Sequence, residues 1–133
     1  MARKARISAA ILTTLSESER HAWTLEELHE RFVGRGLGCD FSSIFRAAEK
    51  LVADGIVRKV ILDDGRTRLE MVSSHHDHLY CSSCKEVVPI RCVFGPNEIV
   101  ALEREAGVVI ENHHLILNGI CRDCRTLSGS AHR

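Results

Sequence analysis

Residues 75–84 read His75-His76-Asp77-His78-Leu79-Tyr80-Cys81-Ser82-Ser83-Cys84, and a second pair, Cys121-Arg122-Asp123-Cys124, stands near the C-terminus. Each pair is C-x-x-C. That spacing lets two thiolates on one tight turn grip one ion, and two such turns complete a tetrahedron. The interval from Lys85 to Ile120 exceeds that of a compact zinc ribbon, so an intervening substructure must bring the pairs together. Two disulfides are the competing reading. It suits a secreted chain, and the basic N-terminus here is followed by a short mixed run with no convincing cleavage site. A thioredoxin-like redox pair needs a C-x-x-C between the strand and helix of a βαβ unit, and neither pair has that setting. A structural Zn(2+) held by Cys81, Cys84, Cys121 and Cys124 is the expectation.

Alternation in an extended segment sends His75 and Asp77 to one side and His76 and His78 to the other. One short strand then feeds two metal sites. Imidazole and carboxylate donors suit Fe(II), Mn, Zn, Ni or Co. The bland alternative is a polar surface loop with chance histidines.

Working outward, the 133 residues hold one ordinary domain or two small ones. Apolar residues at 44% permit a packed core, and a net charge of +0 excludes a polycationic nucleic-acid coat while leaving room for a local basic surface. No run approaches the length of an apolar membrane span, and a cytoplasmic location is expected. No internal repeat is visible.

Residues 1–72 lack paired cysteines. Ile7, Ala10, Ile11 and Leu15 keep a helical period over residues 7–16. Thr24 followed by Glu27 is a capping box opening a second helix, with Leu25, Leu28 and Phe32 on its apolar face and glycines 34, 36 and 38 breaking it. Asp40-Phe41-Ser42-Ser43 caps a third helix, stopped by Gly55, whose Ile44, Ala48, Leu51 and Val52 face inward. Residues 56–62 and 66–72 flank an Asp-Gly turn, which makes a hairpin. Three helices and a hairpin form a winged helix-turn-helix whose third helix enters the DNA major groove. Arg58, Lys59, Arg66 and Arg68 would put charge on the wing, against phosphates. An ordinary helical domain with a solvated hairpin is the alternative.

The remainder reads as a small α/β unit: strands at 79–81 and 86–92, a helix at 96–106 ended by Gly107, extended runs at 108–110 and 114–117, and a polar, frayed tail from Thr126. Its open sheet edges and thin core call for a second copy of the chain. The fold class expected is α+β: a winged helix-turn-helix domain over residues 1–73, then a small α/β dimerisation domain with a four-cysteine zinc site over residues 74–133. An enzyme is not expected, because no H-E-x-x-H or comparable catalytic spacing exists. A zinc-binding adaptor that never touches DNA stays open.

From about Ile7 to Arg125 the chain resembles the ferric uptake regulator family. Residues 75–84 follow that family's H-H-[HD]-H-x-x-C-x-x-C motif, and residues 119–125 its closing G-x-C-x-x-C-R. The resemblance implies a homodimeric, metal-dependent transcriptional regulator, mostly a repressor, acting on a double-stranded DNA operator. It implies that Glu70, His76 and His78 bind a regulatory divalent metal, Fe(2+), Zn(2+) or Mn(2+), beside the structural zinc. His21 stands one place away from the family's further histidine, with Ala22 at the expected position, and joins the regulatory ligands through a local bulge, a surface histidine being the alternative. It implies DNA contacts from Ser42, Ser43, Phe45, Arg46, Lys50, Arg66 and Arg68, with Phe45 in place of the usual tyrosine. A family carboxylate falls at Pro89, which offers no side-chain ligand; Cys92, three residues on, is a candidate metal ligand in its place, an unligated buried thiol being the alternative. An additional metal group would draw on His75, Asp77 and His113, with Glu98 the nearest helix carboxylate. Glu70 stands where several zinc-sensing members have Cys and the peroxide-sensing branch favours Asp, which leans toward Fe(II)-type sensing.

Overall fold

A computed structural model describes residues 3–128. The chain divides into two compact units, Met1–Ser73 and Ser74–Arg133.

The first unit opens with α1 (Arg3–Glu17), β1 (Trp23–Thr24), α2 (Leu25–Gly34) and α3 (Phe41–Ala53), followed by β2 (Val57–Ile61) and β3 (Thr67–Met71). Local chemistry sets these boundaries. Thr24 accepts from the Glu27 N–H at 3.1 Å while Glu27 Oε1 accepts from the Thr24 N–H at 2.8 Å, a reciprocal capping box. Asp40 Oδ1 accepts from the Ser43 N–H at 2.8 Å and starts α3. At the other end Gly55 takes φ +76°, and the N–H groups of Gly55 and Ile56 return to the carbonyls of Val52 and Leu51, which closes the helix in a Schellman motif.

The apolar stripes meet in one core. Ile7, Ile11 and Leu15 of α1, Leu28 and Phe32 of α2, and Ile44, Ala48 and Leu51 of α3 are buried, with Val57 and Leu69 beneath them. This is a winged helix-turn-helix. Burying one leucine or isoleucine contributes about 1.5–3 kcal/mol, so this cluster is the main source of the unit's stability. The wing is not a bare hairpin: β1 adds to its far side, giving the order β1-β3-β2, with Trp23 opposite Leu69 and Thr24 opposite Arg68.

The second unit contains β4 (His76–Cys81), β5 (Val87–Arg91), α4 (Pro96–Ala106), β6 (Ile116–Gly119) and α5 (Arg122–Ser128). β4 is central, antiparallel to β5 and parallel to β6. The extended run at 108–110 joins no strand, the first strand starts earlier than 79, and residues 126–128 continue α5 rather than fraying. The rest of that tail lies outside the described residues. α4 begins with Pro96 after Gly95 and ends at Gly107, φ +70°. None of its residues is buried, and Val100, Leu102 and Leu117 are all exposed.

Candidate functional site

The four cysteines converge as expected. Cys81 ends β4, Cys84 closes the following turn, Cys121 follows β6 and Cys124 lies on α5. Their sulfurs all lie within 4.8 Å of one another, and Cys84 and Cys121 are 3.8 Å apart. A zinc ion with Zn–S bonds of about 2.3 Å spaces its tetrahedral ligands by about 3.8 Å, so the donors fit. The environment favours thiolate at Cys81. Burial alone would push its pKa up, but the N–H groups of Cys84, Cys121 and Ser83 point at the sulfur and bring it down to about 6. Cys84 is pushed up by burial and by the neighbouring thiols. Four thiolates in one place repel one another, and a divalent cation removes that penalty. The turn carries strain: Lys85, not a glycine, takes φ +67° and bonds through its N–H to the Cys81 carbonyl at 2.9 Å.

In the first unit, His21 and Glu70 meet. His21 Nε2 lies 2.6 Å from Glu70 Oε1, and Arg58 Nε lies 3.2 Å from Glu70 Oε2. Glu70 is fully buried on β3. In the second unit, the rings of His76 and His78 lie 4.6 Å apart, and His78 is buried. His78 Nδ1 contacts His114 Nε2 at 2.5 Å. Sequence reasoning missed His114. The available signal was the His113-His114 doublet, which alternates as the 75–78 run does.

The doublet divides between two groups, because His113 joins the other one. His75 Nε2 lies 3.0 Å from His113 Nε2, Cys92 Sγ 3.1 Å from His113 Nε2, and His75 Nε2 3.7 Å from Asp77 Oδ1. His75, Asp77, Cys92 and His113 offer four donors within 4.8 Å of one another. Burial would raise the pKa of Asp77, but the Leu115 N–H bond and the nearby His75 and His113 rings outweigh it and lower the pKa below its ordinary value.

Two sequence-level assignments need correction. Glu98 belongs to no such group among the described residues: its Oε1 accepts from the Gly95 N–H at 2.8 Å, so it caps its own helix. Arg68 is not a surface cation of the wing. It is 4% exposed, and its guanidinium forks onto Asp64 at 3.2 and 2.9 Å. Arg66 is exposed, as are Ser42, Phe45, Arg46 and Lys50 on α3; Ser43 is half-buried. A groove of about 390 Å³ between α1 and α3 is lined by Lys4, Arg46 and Lys50 together with Ser8 and Ser43. Clustered cations beside an exposed helix face are the electrostatic footprint of a polyanion site.

A winged helix followed by a small sheet with a four-cysteine cluster defines a metal-binding regulator of the helix-turn-helix class. The family model described as "Ferric uptake regulator family" matches residues 3–118, and the chain belongs to that family of metal-responsive transcription regulators. It is 31% identical over 122 residues to the ferric uptake regulation protein of Escherichia coli strain K12, covering 86% of this chain and 80% of that one. A zinc-bound manganese uptake regulator structure is 31% identical with TM-score 0.66, covering 91% and 89% of the two chains. The crystal structure of the Vibrio cholerae ferric uptake regulator, 24% identical with TM-score 0.72 over 91% and 90%, shares the fold. Among the described residues no helix is long and apolar enough to cross a membrane.

Proposed function

We propose that this chain is a homodimeric, cytoplasmic repressor of metal-homeostasis genes, and that it binds its operator only when a divalent metal, Fe(II)-class by preference, is bound. The observation that carries the reading is the exposed α3 face, Phe45, Arg46 and Lys50 beside the basic groove, in a chain whose histidine and carboxylate donors flank the segment joining the two units. Residues 71–75 alone separate Glu70 from His76 in sequence.

On this reading His21 and Glu70 of the first unit share one metal with His76 and His78 of the second. Bound there, the metal supplies a positive charge that both donor pairs satisfy together. Imidazole and carboxylate donors without sulfur suit iron or manganese, and zinc competes on affinity. Glu70 belongs to β3 of the wing, so engaging it with β4 fixes the recognition helix for half-sites about one DNA turn apart. Arg46 and Lys50 meet phosphates and base edges, and the apolar ring of Phe45 suits a thymine methyl group. Dimer formation covers the unburied face of α4 and the free edges of the sheet.

The test is DNA-binding anisotropy on duplexes selected from a random pool, titrated with Fe(II), Mn(II) and Zn(II) under anaerobic conditions. Glu70→Ala and His78→Ala should abolish the metal response and keep the structural zinc; coupling of roughly 1–3 kcal/mol is typical. Arg46→Ala should weaken binding at every metal concentration. A Glu70→Ala protein that responds to metal like the parent would refute the shared-metal reading, and no DNA binding under any metal would refute the regulator.

A further inference from the structure

His75, Asp77, Cys92 and His113 all lie inside the second unit, and they come from three separate stretches of chain: the entry to β4, the exit of β5, and the segment before β6. Two observations single out Cys92. The first is that Glu98 spends an oxygen on the Gly95 N–H, so the helix sends no carboxylate to the group. The second concerns Asp77. Its side chain is 2% exposed, Oδ1 accepts from the Leu115 N–H at 2.9 Å, Oδ2 is buried with no hydrogen bond of good geometry among the described residues, and the Cys92 thiol lies against the carboxylate. Burying such an oxygen unsatisfied is costly, and a cation in the group would take it. The donor spacing agrees: the 3.0 Å between the His75 and His113 nitrogens is close to the edge of about 3.3 Å around zinc with Zn–N bonds of about 2.0–2.1 Å.

We propose that Cys92 supplies a thiolate to this group in place of a helix carboxylate, so that the chain carries a mixed nitrogen, oxygen and sulfur site selective for zinc-class cations. Two imidazoles, one carboxylate and one thiolate make a four-donor set. Sulfur selects Zn(II) or Co(II) over Mn(II) and Mg(II), which prefer oxygen-rich sites of higher coordination number. On binding, the Cys92 S–H bond breaks, the sulfur keeps the electron pair and forms the metal bond, and the proton leaves to solvent. The site clips His113 and Cys92 to the start of β4, the strand that carries His76 and His78 on its other side.

The experiment adds Co(II) to the full-length dimer holding zinc at its four-cysteine site alone and records absorption, with no DNA present, so its outcome is independent of the repressor reading. The parent should gain a near-ultraviolet thiolate-to-cobalt band together with intense visible bands. Cys92→Ser should lose the near-ultraviolet band and bind at least about tenfold more weakly, the lower end of what loss of a supporting group at a metal site costs. Glu98→Gln should keep both. A measurement without any variant accompanies it: in the parent, saturating Zn(II) should protect Cys92 from iodoacetamide, mapped by peptide mass spectrometry. Identical titrations of parent and Cys92→Ser, unprotected Cys92, or loss of binding in Glu98→Gln would each overturn the proposal.

Discussion

Replacing Asp64 with alanine removes the carboxylate onto which a buried guanidinium forks. Arg68 Nη1 and Nη2 reach the two Asp64 oxygens at 3.2 and 2.9 Å, and the Arg68 side chain is 5% exposed against 23% for Asp64. Removing one partner of a buried pair costs roughly 3–5 kcal/mol. Asp64 keeps part of its surface in water, so screening lowers the figure to about 2–3 kcal/mol. Arg68→Met removes the charge and keeps the packed stem, and should cost only about 1 kcal/mol, with the double variant close to Arg68→Met alone. For a unit of this size each kcal/mol moves Tm by roughly 4–8 °C, so Asp64→Ala should lower it by about 8–24 °C. Trp23, the chain's one tryptophan, pairs with Leu69 on the same strand as Arg68, so its fluorescence in a thermal scan reports on this unit. Losses of equal size for the two single variants, adding in the double, would refute the buried-pair reasoning. A stable Arg68→Met protein with impaired DNA binding would return Arg68 to the wing surface.

Cys81→Ser and Cys124→Ser should each release the zinc that survives mild chelation and lose cooperative unfolding of the second unit, since a closed thiolate site couples metal binding to folding; metal analysis with circular dichroism checks this. Lys85→Gly should raise stability by about 0.5–1 kcal/mol by relieving a left-handed backbone, with zinc content unchanged, as a urea titration would show. Asp77→Asn should destabilise the metal-free chain at neutral pH. The native pKa of Asp77 lies below its unfolded value, so its contribution is present above pH about 4 and lost as pH falls through the native value; parent and variant should converge in acid unfolding. Leu102→Asp, on the unburied face of α4, should shift the chain from dimer to monomer in analytical ultracentrifugation.

Much of this architecture is local enough to read from sequence. Thr24 with Glu27, Asp40 with Ser43, and Gly55 are caps whose partners lie within three residues, and the two C-x-x-C pairs announce their own geometry. What escaped depends on contacts distant in sequence. β1 has two residues and exists only because Leu69 and Arg68 pair with it. That pairing makes β3 the central strand, and Arg68, Leu69 and Glu70 are all buried in succession, so a charged residue of this strand does not have to face solvent. Glu98 had two possible uses, metal and cap, and the cap lies three residues away. Cys92 and His114 meet their partners across 21 and 36 residues of chain, beyond any local pattern.

The alternation along residues 75–78 has a consequence for how this protein can change. Odd positions hand their side chains to one donor group and even positions to the other, so membership is a matter of parity. A substitution at one position damages one group and spares the other. A single residue inserted or deleted between His78 and the Leu79–Cys81 part of the strand, with the pairing of that part kept, would exchange the two memberships at once and deprive both groups of their partners. This stretch should therefore tolerate drift in chemistry, such as the thiol at Cys92 or the imidazole at His114 in the segments facing it, far more readily than any change in length.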